Sequence, residues 1–286
     1  YESAYWWPKS NEKENILIIN VLKVISLSEN GGISKGELIN LDTNKLKAKW
    51  KDAIKNIDNA YNRVNEIYGA FKQKYIPIEP MILPLAALLL HVGKGQDSKF
   101  KKIDRWYWNA CFCGRYSQAA NTRSESDVAK MFEWISSDKD QDILDFFNSY
   151  DINQIDFDNI KKYSYLHRTI ICLLIKSGCK DFKTGQVPKT LLDSAEEDHI
   201  FPSLKYGDDN ILNRTIITTN ESKNDGVPME YFGELQKKHE RSVLLEILKS
   251  HLISNHGLNA LMENQIEDFK EDRKINLIEY MKKLSS

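Results

Sequence analysis

Apolar residues recur every three to four positions through most of the chain, the spacing that turns one face of an α-helix toward a core. Residues 12–28 (EKENILIINVLKVISLS) have this spacing, and Gly31 and Gly32 predict the stop. Asp42 or Thr43 can cap a long amphipathic helix running to about Lys74. Trp50, Ile54, Ile57, Tyr61, Val64 and Tyr68 share one face of it, and the opposite face is Lys-rich. Pro77, Pro80 and Pro84 lead into LPLAALLLHV, which reads as a buried helix. Residues 98–114 predict another, dense in Trp106, Tyr107, Trp108 and Phe112. That set fits a core better than a base-stacking platform. Two shorter helices are expected at about 125–136 and 139–149, and one more at 157–177, closed by Gly178. His91 and His167 fall in apolar helices and read as core histidines.

The pattern changes after Lys180. DFKTGQVPKTLLDSAEEDHIFP is turn-rich and then extended up to Pro202, and Arg214–Thr219 (RTIITT) is β-branched and reads as a second short strand. Helical spacing returns at about 229–252 and 256–283. The fold class expected is mainly α, with a helical domain over 1–180 and a small β-containing element with C-terminal helices over 181–286.

Composition narrows the classes. In 286 residues, 13 Gly and 7 Pro exclude collagen-like and Pro-rich disordered chains. The longest apolar stretch, Met81 to Val92, is interrupted by Pro84 and falls short of the ~20 residues a membrane span needs. The four cysteines, Cys111, Cys113, Cys172 and Cys179, form no C-x-x-C pair and have no His at zinc spacing. Reduced, mostly buried thiols in a cytoplasmic protein are the expectation. The first residues, YESAYWWP, suggest the continuation of a longer protein. A net charge of −1 excludes a generally polybasic coat, but the charge is uneven. Residues 41–105 carry 13 Lys+Arg against 7 Asp+Glu, and residues 186–286 carry 13 against 18. Lys45, Lys47, Lys49 and Lys51 are therefore candidate DNA-backbone contacts, the alternative being a solvated face. Arg115 and Arg123 flank a polar loop and are further DNA-binding candidates, the alternative being salt bridges within that loop.

The most informative segment is Glu196 to Pro202 (EEDHIFP), followed eleven residues after Asp198 by DNILNRTIITTNESKN. An acid directly precedes a His at the end of an extended stretch, and Pro202 turns the chain. Asp198 and His199 would then face opposite sides of one strand. An antiparallel return through Ile216 and Ile217 would bring Asn220 back toward Asp198. A carboxylate and an amide oxygen are hard ligands suited to Mg²⁺ or Mn²⁺, and they leave the imidazole available as a base. Glu196 and Glu197 read as an exposed acidic approach to the strand.

The ordered set D-H-x-x-P, N-x-x-N, N-x-x-K resembles the His-Asn-Asn variant of the HNH (His-Me finger, ββα-metal) nuclease motif. More narrowly, it is similar to the C-terminal nuclease domain of GmrSD-type modification-dependent restriction endonucleases. RWYWNACFCGRYSQAANTRSESDVAKMFEWI and LHRTIICLLIKSGCKDFKTGQ resemble the helical regions of those proteins, so the resemblance covers about residues 45–285. It implies a metal-dependent DNA endonuclease of a restriction or anti-phage defence system, leaving 5′-phosphate and 3′-hydroxyl ends. It also implies His199 as general base, Asn213 as the residue that holds the loop and orients the His, Asp198 and Asn220 as metal ligands, and Lys223 as a phosphate contact. Two departures stand out. Leu212 occupies the position where the family usually has Gly before the middle Asn, and the D-G-Q-Q-R nucleotide-hydrolysing half is missing, so it would belong to another part of the same protein. The alternatives are a nuclease acting on RNA or structured nucleic acid, and a helical interaction module whose nuclease motif is inactive.

Overall fold

In the computed structural model, the described residues are 11–93, 97–137, 144–187, 195–218 and 226–286. The helical spacing is realised as twelve α-helices among them: α1 (Asn11–Ser28), α2 (Lys35–Ile39), α3 (Thr43–Glu66), α4 (Ile82–Val92), α5 (Asp97–Phe112), α6 (Ala120–Ser136), α7 (Tyr165–Lys176), α8 (Ser203–Tyr206), α9 (Pro228–Lys238), α10 (Arg241–Lys249), α11 (Asn255–Met262) and α12 (Ile266–Ser285). Two strands, β1 (Ala195–His199) and β2 (Arg214–Thr218), pair antiparallel. The chain is mainly α, as the spacing predicts. No helix among the described residues is long and apolar enough to cross a membrane.

The chain divides into two units. The first comprises Tyr1–Asn65, Ile78–Asp151 and Leu284–Ser286, and the second Glu66–Pro77 and Ile152–Lys283. This division differs from the boundary expected at 180. Helix α7 belongs with the strand pair because it packs on β2.

In the first unit α4 is buried nearly all round and packs against α1, α5 and α6, the position a helix without a polar face must take. Trp106, Trp108 and Trp134 are among its largest buried side chains, so the aromatic helix is core. Asp42 supplies the cap of α3, accepting from Lys45 N–H at 2.9 Å. Helix α3 stops at Glu66 rather than near Lys74. His91 is an exception to its apolar helix: it lies exposed at the end of α4, stacked on Phe132 at 4.0 Å. In place of the helix expected at 139–149, the described part holds a 3-10 turn, Asp145–Asn148.

In the second unit, Gly69 (φ +85) passes so close to α7 that a Cβ would stand 2.5 Å from the Cys172 carbonyl oxygen. Only glycine meets both demands at this position, which lies just past the end of α3. Helix α7 begins at Tyr165, not 157, because Tyr163 takes a left-handed conformation (φ 61) and Ser164 then caps the helix. The 229–252 stretch splits at His239 and Glu240, whose extended backbone lets Leu235 of α9 and Leu244 of α10 enter one core. Asn264 (φ 60) likewise separates α11 from α12. That core also takes Phe201, Phe232, Leu248, Leu261 and Phe269, so α9 to α12 form a layer under the loop that follows β1. Leu204 of α8 is fully exposed and takes no part in this core.

Candidate active site

β1 is an unusual strand, AEEDH, with one small apolar residue. It is held by β2 (RTIIT), in the register Ala195↔Thr218, Glu197↔Ile216, Asp198↔Thr215 and His199↔Arg214. Period-two alternation puts Glu197, His199 and Arg214 on one face, and Asp198 and Thr215 on the other.

After His199 the chain is fixed by Asn213. Ile200 N–H donates to the Asn213 carbonyl at 2.8 Å. The Asn213 side chain is fully buried, its Oδ1 accepts from Phe201 N–H at 2.8 Å, and its Nδ2 donates to the Phe201 carbonyl at 2.9 Å. The short helix α8 and Gly207, at φ +66, then lead the chain back to Asp208 and Asp209. The side chain of Tyr206 bonds that of Asn264, and Phe201 packs between Tyr206 and Phe269.

His199 is 16% exposed, and its Nε2 lies 2.8 Å from Asp209 Oδ1. A carboxylate only accepts, so Nε2 carries the proton and Nδ1 keeps its lone pair in the neutral ring. Nδ1 makes no hydrogen bond among the described residues. Asp209 also takes Nη2 of Arg214, and Arg214 Nη1 donates to Glu197 Oε1 at 2.6 Å. Glu197 accepts twice more, from His167 Nε2 at 3.0 Å and from the Tyr75 hydroxyl at 3.1 Å.

The acidic approach to the strand is thus not exposed at Glu197, whose side chain is 5% accessible. Burial pushes the Glu197 carboxyl up, but the hydrogen bond and charge of His167, the charge of Arg214 and the Tyr75 hydroxyl together bring it down to about 2. Burial opposes ionisation of Asp209 as well, and the His199 hydrogen bond and Arg214 still leave it below the usual range. Burial and the Glu197 charge push the Tyr75 phenol up.

The opposite face has its own buried histidine. His251 donates from Nε2 to the Lys180 carbonyl at 2.6 Å, so its Nδ1 accepts from the Thr215 hydroxyl at 2.7 Å. Burial lowers its pKa to about 3, so it is a neutral packing element stacked on Phe182. All four cysteines are thiols; Cys111, Cys172 and Cys179 are buried and Cys113 is half-buried.

No family model matches the chain. It is similar to the uncharacterized protein MJ0686 of Methanocaldococcus jannaschii, 24% identical over 284 residues, which cover 88% of this chain and 47% of that protein. The chain therefore spans about half the length of the curated relative it matches.

The remaining expected site residues fall in three groups. Asn220 and Lys223 lie outside the described residues. Arg115 and Arg123 are committed within the protein. Arg115 forms a two-point ion pair with the buried Asp127, at 2.9 and 2.7 Å, and the Arg123 guanidinium donates to the Arg115 carbonyl. Lys45 and Lys49 both bind Glu29, whereas Lys47 and Lys51 are exposed one helical turn apart on α3. For a metal, Asp198, next to His199 in sequence but on the opposite face of β1, offers one half-buried hard oxygen donor. No group of three or more His, Cys, Asp and Glu side chains set to hold an ion occurs among the described residues. A carboxylate oxygen is the type of donor that an ion such as Mg²⁺ takes, with most of its shell left to water and phosphate.

Sequence reasoning missed Glu197, Arg214, Asp209 and His167. A β-branched strand opening on Arg, opposite a strand with alternate acids, was the available signal for Arg214 and Glu197.

Proposed function

We propose that this chain is a metal-dependent endonuclease of the HNH type, with the strand pair and the following helices as its ββα element. The observation that carries the reading is the pairing of Asn213 with Phe201, which holds the loop behind His199 while Asp209 sets the imidazole with Nδ1 unprotonated.

Hydrolysis of a phosphodiester needs a water deprotonated near neutral pH, because the phosphate is anionic and repels a nucleophile. His199 Nδ1 takes the water proton as the new P–O bond forms. The P–O3′ bond breaks, the leaving oxygen takes a proton from solvent, and the ends are a 5′-phosphate and a 3′-hydroxyl. Asp198, with Asn220 as the second expected ligand, would hold a divalent ion that supplies charge neutralisation at the scissile phosphate and leaving oxygen. Asn213 keeps His199 from drifting by fixing the backbone on its C-terminal side. Double-stranded DNA is the proposed substrate, with Lys47 and Lys51 as backbone contacts, and a nucleotide-hydrolysing domain of the same protein as partner in a defence system.

The test is nicking of supercoiled plasmid by the purified chain with Mg²⁺ or Mn²⁺ and with EDTA. Nicking that requires the ion and is lost in His199→Ala is expected, and Asp198→Ala should raise the ion concentration for half activity. Nicking that survives both EDTA and His199→Ala, or none by wild type with either ion, rejects the reading.

A further inference from the structure

We propose that Asp209 and Arg214 are positioning residues for His199, anchored from the protein interior by Glu197, and this rests on the reading of His199 as the base.

The argument starts from exposure. The Asp209 side chain is 69% accessible, and a solvated carboxylate reached by a single imidazole hydrogen bond would hold that ring loosely. Asp209 is not held by His199 alone. Arg214 is 5% accessible, and its Nη2 bonds the same Oδ1 that receives His199. A buried guanidinium cannot follow Asp209 into solvent, so it draws the carboxylate back to one place.

The cation is itself fixed. Its other fork nitrogen donates to Glu197 Oε1, and a planar guanidinium gripped at two nitrogens has one orientation left. Glu197 in turn is clamped at both oxygens, by His167 on Oε1 and Tyr75 on Oε2. The chain of contacts therefore runs from helix α7 and the 73–75 turn, through Glu197 and Arg214, to Asp209 and the ring of His199. Within it, Glu197 and Arg214 are the buried charges, each costly to bury alone, and each has its opposite beside it. The His199↔Arg214 register sets this up: the residue paired across from the base reaches past it to the carboxylate that orients it.

The consequence is specific. An Nε2–H tautomer is required if Nδ1 is to accept the proton of water. Asp209 enforces that tautomer, and Arg214 keeps Asp209 available to do so. None of the three anchoring groups touches the reacting atoms; they act through His199.

The experiment reads the ring directly. Long-range ¹H–¹⁵N correlation spectra of the full ¹⁵N-labelled chain, at a pH where His199 is neutral and assigned by comparison with His199→Ala, report which nitrogen carries the proton. Wild type is expected to show the Nε2–H tautomer, and Asp209→Ala a mixture of both. Asp209→Asn, whose amide oxygen can still accept from Nε2–H, should recover the wild-type tautomer. Arg214→Lys keeps the charge and loses the fork, and should fall in between. Plasmid nicking run alongside should drop roughly 10–100-fold in kcat for Asp209→Ala, with KM for plasmid within about twofold. Asp209 is exposed but pairs with the buried Arg214, so a modest lowering of the thermal transition is expected in Asp209→Ala, and the spectra are recorded well below it. An unchanged tautomer in Asp209→Ala overturns the proposal whether or not the chain cuts DNA. A tautomer that shifts as stated, in a protein whose wild type nicks nothing, leaves the positioning arrangement in place and removes the nuclease reading instead.

Discussion

The Asn213 side chain pairs with the backbone of Phe201 at both its polar atoms, donating to the carbonyl at 2.9 Å and accepting from the N–H at 2.8 Å. Both partners are buried, so neither backbone group has water as an alternative. Asn213→Ala leaves an N–H and a carbonyl unpaired. Each lost bond costs about 1 kcal/mol net, and more where the partner is stranded, so a loss of roughly 2–4 kcal/mol is expected. Urea unfolding measures it. A loss under about 1 kcal/mol would show that the loop is held elsewhere.

His199→Ala removes a side chain that is 16% accessible and makes one hydrogen bond, to Asp209, among the described residues. Cleavage should fall by ~10²–10⁴-fold while the urea midpoint barely moves. A variant within tenfold of wild type would take His199 out of the chemistry. The contrast with Asn213→Ala is the point of measuring both: one change removes the base, the other the support beneath it.

How far this site could be read from the sequence follows from the range of its interactions. The strand pair, Asp198, His199 and Asn213 lie within about twenty residues, and β-branched RTIITT beside D-H-x-x-P marks them locally. Helices were legible wherever one face was apolar, as in α3 and α7. Their ends were less so, because Tyr163, His239 and Asn264 break helices without the glycine or proline that announces a break. Glu197 was misread because an acid in a polar strand is ordinarily solvated. Its burial depends on His167, thirty positions upstream, and Tyr75, more than a hundred upstream, and nothing local to the strand records either.

The Lys face of α3 separates into two kinds of residue. Lys45 and Lys49 are neutralised by Glu29, but Lys47 and Lys51 have no ion pair among the described residues and face solvent. If they meet DNA phosphates, Lys47→Gln with Lys51→Gln should flatten the slope of log K against log salt by up to about 2, one counterion for each contact. Fluorescence anisotropy on a labelled duplex at several salt concentrations checks this. The same slope in the double variant makes the face a solvated surface.

Acid should destabilise the second unit in two windows. His251 is neutral in the fold with its pKa lowered from 6.5 to about 3, so below pH 6.5 the unfolded chain binds a proton the native one does not, and stability falls as the pH drops toward 3. Glu197, lowered from 4.5 to about 2 against the cost of its burial, contributes stability above pH 4.5 that is lost as the pH falls toward 2. The Glu197 contribution is about 3 kcal/mol at most. Urea unfolding at stepped pH should show wild type weakening from about pH 6.5 downward, steepening below 4.5. Glu197→Gln should be less stable than wild type at neutral pH and lack the added steepness. A variant that keeps the full acid slope would mean the carboxyl titrates normally in the fold.

The strand pair should not stand without the residues that precede it. Glu197 and Arg214 are both 5% accessible, and Glu197 is satisfied by His167 of α7 and by Tyr75, while Lys72 caps the Ala195 carbonyl at 2.9 Å. A fragment of residues 186–286 keeps the α9 to α12 core but strips away all three partners and the helix that packs on β2. Breaking one buried charged contact costs about 3–5 kcal/mol, a large share of the 5–15 kcal/mol that holds a domain together. The fragment is therefore expected to retain helical circular dichroism while losing a cooperative thermal transition, and to leave plasmid intact even with Mg²⁺. Restoring α7 alone, as residues 152–286, should recover part of the transition, since His167 returns but Tyr75 and Lys72 do not. Should 186–286 melt cooperatively and nick plasmid at the rate of the whole chain, the interior anchoring of Glu197 would be dispensable, and the stability of the strand pair would have to come from the C-terminal helices by themselves.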